Sequence, residues 1–335
     1  MFRRVGLLSL AVAVCLLLVA PAAAGAADRL QVVRLSEVVR SIFYAPQYVA
    51  LAKGFFEEEG LSISLSTAWG ADKGAAALIS GSVDIGFFGP EAAVYIYNQG
   101  ARDHIVGFAQ LTTMDGSFFI KRGESEEFDW EEVRGKTIVG ARPGGVPEMV
   151  LEWVLRQHGI TPFVDVDIIT NLAFAAAPGA FQAGLGDYIA QFEPAMTQLE
   201  MAGAGKIVAS MGIEGGPITY TLYHARKDYI EKNRDVLVRF TRALYKGMKW
   251  VEEHSPEETA KVIEGFFPDT ELEVITKIVE RYKDQGTWNP TPIISEEGFE
   301  HLQTVMESAG ELVKRVPFDA LMDNSIALEA LGMEE

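Results

Sequence analysis

The chain has 335 residues, 48% of them hydrophobic, with a formal net charge of −18 and a single cysteine. That length can bury a large core and leaves room for two lobes of ordinary domain size. The acidity argues against nucleic acid and anionic lipid as partners, and the scarcity of cysteine means that the fold rests on its core rather than on disulfides.

In chain order, residues 1–27 read as a cleavable export signal. Arg3 and Arg4 form the basic start, an apolar stretch follows to Ala20, and Pro21 introduces the small-residue run 22–27, cut after Ala24 or Ala27. The apolar run is short for a spanning helix. Cys15 follows Val14, so the small residue that precedes a lipidated cysteine is missing. An exported, freely diffusing monomer, periplasmic in location, is expected.

The rest alternates short apolar runs with helical patterns, the mark of an α/β architecture. Pro46 starts a helix that Gly54 ends, and Leu61, Ile63 and Leu65 alternate with serines in a strand. Asp72 is placed to cap a helix running to Gly81, residues 83–87 form a strand, and Gly89-Pro90 turns into a helix over 91–98. Strands follow at 105–111 and 136–139. Residues 142–145 form a turn into a helix over 147–158, and Val164, Val166 and Ile168 alternate with aspartates in a further strand. After a last strand at 219–225 the pattern is helical: 233–254, a capping box at Ser255-Pro256-Glu257-Glu258, then 271–283 and 295–314. The apolar segments 118–121 and 220–225 are the expected crossings between two lobes.

The stretch 43–61, FYAPQYVALAKGFFEEEGL, resembles the opening of solute-binding proteins of ABC importers in the NMT1/THI5-like and sulfonate/nitrate/taurine group. GSVDIG at 81–86, GKTIVG at 135–140, and Asp187-Tyr188 leading to Phe192-Glu193-Pro194 continue the match. The resemblance implies a type II periplasmic-binding-protein fold. Two α/β lobes, each a mixed sheet flanked by helices, would be joined by crossing strands and would close on a ligand: 28–118 with 225–335, and 119–224. It also implies an ABC permease with its ATPase as partner. A sensor subunit docking to a receptor is the alternative.

In open α/β sheets the ligand crevice lies outside the carboxyl ends of the strands, so the strand-to-helix turns hold the candidate residues. These are Phe43, Tyr44, Trp69, Asp72, Lys73, Gly89, Pro90, Glu91, Gly144, Gly145 and Val146, with Asp187, Tyr188, Phe192 and Glu193 where the family places second-lobe contacts. The aromatic members could stack on a flat ring. Asp72, Glu91 and Glu148 fall in first helical turns, where they complement the helix dipole or, together with Asp187 and Glu193, disfavour an anionic ligand; Arg142 and Lys73 are the cations that could still hold one. The expected ligand is a neutral or amine-bearing aromatic heterocycle, with a thiamine pyrimidine precursor as the example the resemblance implies; a sulfonate, taurine or nitrate is the alternative.

Catalysis is not expected, although enzymes share this fold. The pyrimidine synthases of the resembling group carry a cysteine-rich motif that is absent here. The five histidines are scattered, with no metal spacing, no G-x-S-x-G elbow and no P-loop. Neither a metal nor a cofactor is expected.

Overall fold

The computed structural model describes residues 30–100, 104–125 and 127–333; the export signal read at 1–27 lies outside them. In chain order the strands are β1 (Gln31–Glu37), β2 (Leu61–Thr67), β3 (Ile85–Phe88), β4 (Ile105–Thr112), β5 (Ser117–Arg122), β6 (Thr137–Val139), β7 (Asp167–Ile169), β8 (Tyr188–Phe192), β9 (Gly205–Ser210) and β10 (Thr221–Arg226). They form two five-stranded sheets with the same plan, ordered β2-β1-β3-β10-β4 and β7-β6-β8-β5-β9. The first three strands of each run parallel, and a strand arriving from the other sheet lies antiparallel between the third and the fourth. This is the expected two-lobed α/β fold.

Parallel strands in the interior of the sheets, such as β3, read as apolar runs, whereas the edge strand β2 is half-buried and alternates with serines. All of β3 and β4 is buried. Helices Ala45–Ala52, Ala71–Ile79 and Glu91–Asn98 follow β1, β2 and β3, and Val146–Gln157, Ala177–Gln182 and Ala195–Met201 follow β6, β7 and β8. Six strand ends thus lead into six helices, three in each lobe.

Several local expectations need correction. The segments 118–121 and 220–225 are not crossings but interior strands of the two sheets; the chain changes sheets within 113–116 and 211–220. Apolarity marked burial there, not passage between lobes. We therefore propose lobe boundaries at these two crossings, since the expected limits at 118 and 225 would cut β5 and β10. The alternation at 164–168 is strand only in its second half: Val164 and Asp165 lie in a turn, and β7 begins at Asp167. Asp165 Oδ2 accepts from Thr161 N at 2.7 Å, and Val164 is 79% exposed. Asp72 does not cap its helix, because Gly70 holds that position and Asp72 lies inside the first turn. The helix expected from 233 forms; a short helical segment from Lys227 precedes it and is joined to it across non-helical dihedrals at Asn233. The helix expected over 295–314 stops at Ser308, before Gly310 at φ +77°. The capping box at Ser255 and Glu258 forms as expected.

The C-terminal helices touch both lobes. Lys227–Glu253 packs on Ala45–Ala52 of the first lobe. Leu272–Asp284 reaches the second: Arg281 pairs with the buried Glu193 carboxylate, and Gln285 Oε1 accepts from Ser210 Oγ at 2.9 Å. Glu296–Ser308 lies against Val146–Gln157, with Trp153 and His301 in edge contact.

Candidate functional site: an aromatic cleft between the lobes

A cavity of about 680 Å³ opens between the carboxyl ends of the two sets of parallel strands. Every one of the six ends contributes. Val38 and Val39 follow β1, Trp69 to Asp72 follow β2, and Gly89 and Glu91 follow β3; Ala141 to Pro147 follow β6, Thr170 to Phe174 follow β7, and Phe192 ends β8. The volume is that of a small-molecule pocket.

Six aromatic residues line it: Tyr44, Trp69, Tyr95, Phe174, Phe192 and Tyr220. Tyr44, Phe192 and Tyr220 lie over Phe43, whose ring centroid is 5.2, 5.7 and 5.7 Å from theirs. Phe174 adds a ring 5.8 Å from Phe192, and Trp69, 49% exposed, stands at the rim with φ +60°. A side chain with positive φ is uncommon and costs of order 1 kcal/mol or more, which here sets the indole at the mouth.

Two contacts join the lobes across this mouth. Arg142 Nη2 donates to Asp72 Oδ1 at 2.7 Å, and the Tyr95 hydroxyl donates to Gly144 O at 2.9 Å. Gly70, at φ +150°, makes the first possible, because a Cβ there would lie 2.3 Å from Arg142 Nη2. Burial would raise the Asp72 carboxyl, but the Arg142 hydrogen bond and charge outweigh it and hold it below its usual value.

Deeper in, Glu91 begins the helix Glu91–Asn98 and folds back over Gly89, where a Cβ would lie 2.1 Å from Oε2. The residue is 4% exposed, and Oε2 has no hydrogen-bond partner. Burial pushes its carboxyl up to about 7, opposed by the backbone N–H groups of Glu91 itself, Val146 and Ala92. Val146 opens the first helix of the other lobe, so one carboxyl sits where helix N-termini from both lobes converge. That is the position an anionic ligand would favour.

Behind the cavity wall, Glu148 Oε2 accepts from Ala141 N at 2.7 Å and so holds the 141–145 turn; burial pushes this carboxyl up to about 8. Asp115, in the first crossing, accepts from Ser117 N and is pushed by burial up to about 6.

Of the residues expected at the site, Tyr44, Trp69, Asp72, Gly89, Glu91, Gly144, Gly145, Val146 and Phe192 line the cavity. The others do not. Phe43 is the layer beneath, and Gly116 leaves space for it, since a Cβ there would lie 2.4 Å from its ring. Lys73 points to solvent, and Pro90 is the buried N-cap of its helix. Asp187 and Tyr188 sit at the start of β8, the end away from the cleft. Asp187 accepts from Thr137 N, and Tyr188 stacks on Phe119 at 5.1 Å. A five-residue strand at about 3.3 Å per residue separates its two ends, so one segment could not place both in the cleft. Glu193 is buried against Arg281 and Thr197. Residues not expected at the site are Val38, Val39, Tyr95, Thr170 to Phe174, Tyr220 and Thr221. Tyr95 was accessible to reasoning, because it lies four residues after Glu91 on the same helix face.

The sequence profile of the family described as NMT1/THI5 like matches residues 42–259. The chain belongs to this family. It is 45% identical over 311 residues, 93% of each chain, to the Bacillus subtilis (strain 168) protein named "Putative binding protein YtlA". At the level of fold, this NMT1/THI5-like chain is similar to the alkanesulfonate-binding protein SsuA from Xanthomonas axonopodis pv. citri bound to MOPS, with TM-score 0.71, 17% identity, and 88% and 98% of the two chains covered. It is also similar to the periplasmic nitrate-binding protein NrtA from Synechocystis PCC 6803, with TM-score 0.70, 16% identity, and 90% and 89% covered. Among the described residues no group of three His, Cys, Asp or Glu side chains could hold a metal ion, and no helix is long and apolar enough to cross a membrane.

Proposed function

We propose that this protein is the extracytoplasmic ligand-binding component of an ABC-type importer, and that its cleft takes a flat, neutral or amine-bearing aromatic heterocycle of the pyrimidine class. The buried Glu91 carboxyl carries the ligand reading. A sulfonate or nitrate would seek the converging helix N-termini, and there it would meet an acidic side chain already in place. The nearest cation, Arg142, is engaged with Asp72. A heterocycle instead stacks on Tyr44, Phe192 and Tyr220 and donates ring or exocyclic N–H to the Glu91 carboxyl. The relative's name as a binding protein and the folds of the sulfonate- and nitrate-binding neighbours support the carrier role. Lobe closure would then present a docked form to a permease.

Calorimetry on protein lacking residues 1–27 tests this with three ligands: 4-amino-5-hydroxymethyl-2-methylpyrimidine, taurine and nitrate. Binding of the pyrimidine alone is expected. Binding of taurine or nitrate with no response to the pyrimidine overturns the ligand reading.

A further inference from the structure

Of the two acids that line the cavity, Asp72 is answered by a cation and Glu91 is not; behind the wall, Glu148 and Asp115 each also keep one oxygen without a partner. Asp72 has Arg142, and Glu193, just behind the wall, has Arg281 and Thr197. Glu91 has an oxygen without a partner, in a cavity whose neighbouring titratable groups are phenols and acids. From its own helix Tyr95 faces it, from the 3-10 turn before Ala45–Ala52 comes Tyr44, and from the second crossing Tyr220, all three with their hydroxyls pushed up by burial first. Asp72 acts on it from the helix after β2, and its negative charge further disfavours the Glu91 anion. Glu148 lies on Val146–Gln157 but turns its carboxyl to Ala141, and Glu311 stands near Tyr95 and Gly144. Arg142, already paired, is the only cation among the cavity-lining residues.

We infer that ligand binding in this cleft is an exchange of cations at Glu91: the empty site holds a proton on that carboxyl, and an aromatic ligand bearing a protonated amidine-type edge displaces it to water. The inference rests on the function proposed above and specifies the charge of the ligand. The reaction balances without a co-reactant. The neutral carboxyl loses H⁺ to solvent, the cationic ligand enters, and the net charge of the cleft is the same before and after. The ionised carboxylate receives a ligand N–H in place of its own proton. The uptake of one positive charge for another leaves no unpaired cation in the cavity, which desolvation would disfavour. An anion, by contrast, would have to enter beside a carboxyl with no cation free to answer it.

The test uses benzamidinium, whose charge is constant across the pH range, with benzamide as its neutral counterpart. Binding of benzamidinium to the wild-type protein should tighten by up to about tenfold per pH unit from pH 5 to 7 and level off above. Calorimetry in two buffers of different ionisation enthalpy should count about one proton released at pH 6. Benzamide should bind more weakly at neutral pH with no such slope. An infrared difference spectrum should lose a protonated-carboxyl band when benzamidinium is added, a readout needing no variant. Glu91→Gln should abolish the slope and the proton release. Benzamidinium affinity that is flat with pH, or a slope that survives in Glu91→Gln, overturns the exchange and leaves the importer reading standing if the pyrimidine still binds. If neither probe nor the pyrimidine binds, both readings fall.

Discussion

Glu148→Gln isolates the energetic consequence of burying an acid behind the cleft. In the wild type Glu148 is 1% exposed, accepts from Ala141 N through Oε2, and leaves Oε1 without a partner. Burial pushes its carboxyl to about 8, from an ordinary value of 4.5. The folded protein therefore keeps a proton that the unfolded chain has lost between those two pH values. Stability from this group is fully present below pH 4.5 and is lost as pH rises towards 8. At 1.36 kcal/mol per unit, the 3.5 units correspond to about 4 to 5 kcal/mol. The glutamine amide keeps an oxygen for Ala141 N but has no proton to lose. Urea unfolding at pH 4.5, 6 and 8 should show wild type and variant within about 1 kcal/mol at pH 4.5, where both are neutral. The variant should be the more stable by several kcal/mol at pH 8. Equal pH slopes in the two proteins would refute the argument, since they would mean that the carboxyl ionises freely in the folded state.

His224 should produce the opposite slope. Fully buried and stacked on Phe88, it is pushed down by burial to about 3, so stability falls as pH drops below 6.5, and His224→Phe should remove about 3 kcal/mol of acid sensitivity in melts at pH 4 against pH 7. Arg281→Met leaves the Glu193 carboxylate buried without its cation and should cost about 3 to 5 kcal/mol in denaturant unfolding, most of it recovered in the double variant with Glu193→Gln. Gly89→Ala puts a Cβ 2.1 Å from Glu91 Oε2 and must move that carboxyl. Pyrimidine affinity should drop at least tenfold in calorimetry with little change in melting temperature, whereas an unchanged affinity would mean that Glu91 does not touch the ligand.

The sequence announced this architecture wherever an apolar run met a clear stop. Gly89-Pro90 before Glu91 and Gly144-Gly145 before Val146 both mark a strand end turning into a helix, and all of these residues but Pro90 line the cavity. It misled wherever the same residue types serve two purposes. Phe118 to Lys121 are apolar because β5 is buried between β8 and β9, which sequence alone does not distinguish from a buried crossing. The true crossing, Thr113 to Gly116, is short and polar and was passed over. The family resemblance places Asp187 and Tyr188 in the site together with Phe192 and Glu193. Extended backbone carried Asp187 and Tyr188 to the far end of β8, while Phe192 reached the cleft and Glu193 turned towards Arg281 from a helix 88 residues away. That last partnership has no local signature, since a long-range ion pair leaves no trace in spacing.

The duplicated plan of the two sheets explains why so much of the cleft rests on so few positions. Each lobe brings three helix N-termini to the same gap, a geometry that would hold an anion if nothing else were there. In this chain Glu91 reaches from one set towards Val146 of the other, and Gly89 gives it space to do so. The carboxyl both occupies the electropositive point and, because it is buried without a full set of partners, sits near neutrality instead of charge. A ligand that meets the Glu91 carboxyl with an N–H and covers Tyr44, Phe192 and Tyr220 with a flat face completes what the folded chain leaves open. Selectivity then turns on one side chain: with Gln at 91 the acceptor remains but the charge is gone, and discrimination between a cationic ring and its neutral counterpart should vanish while stacking persists.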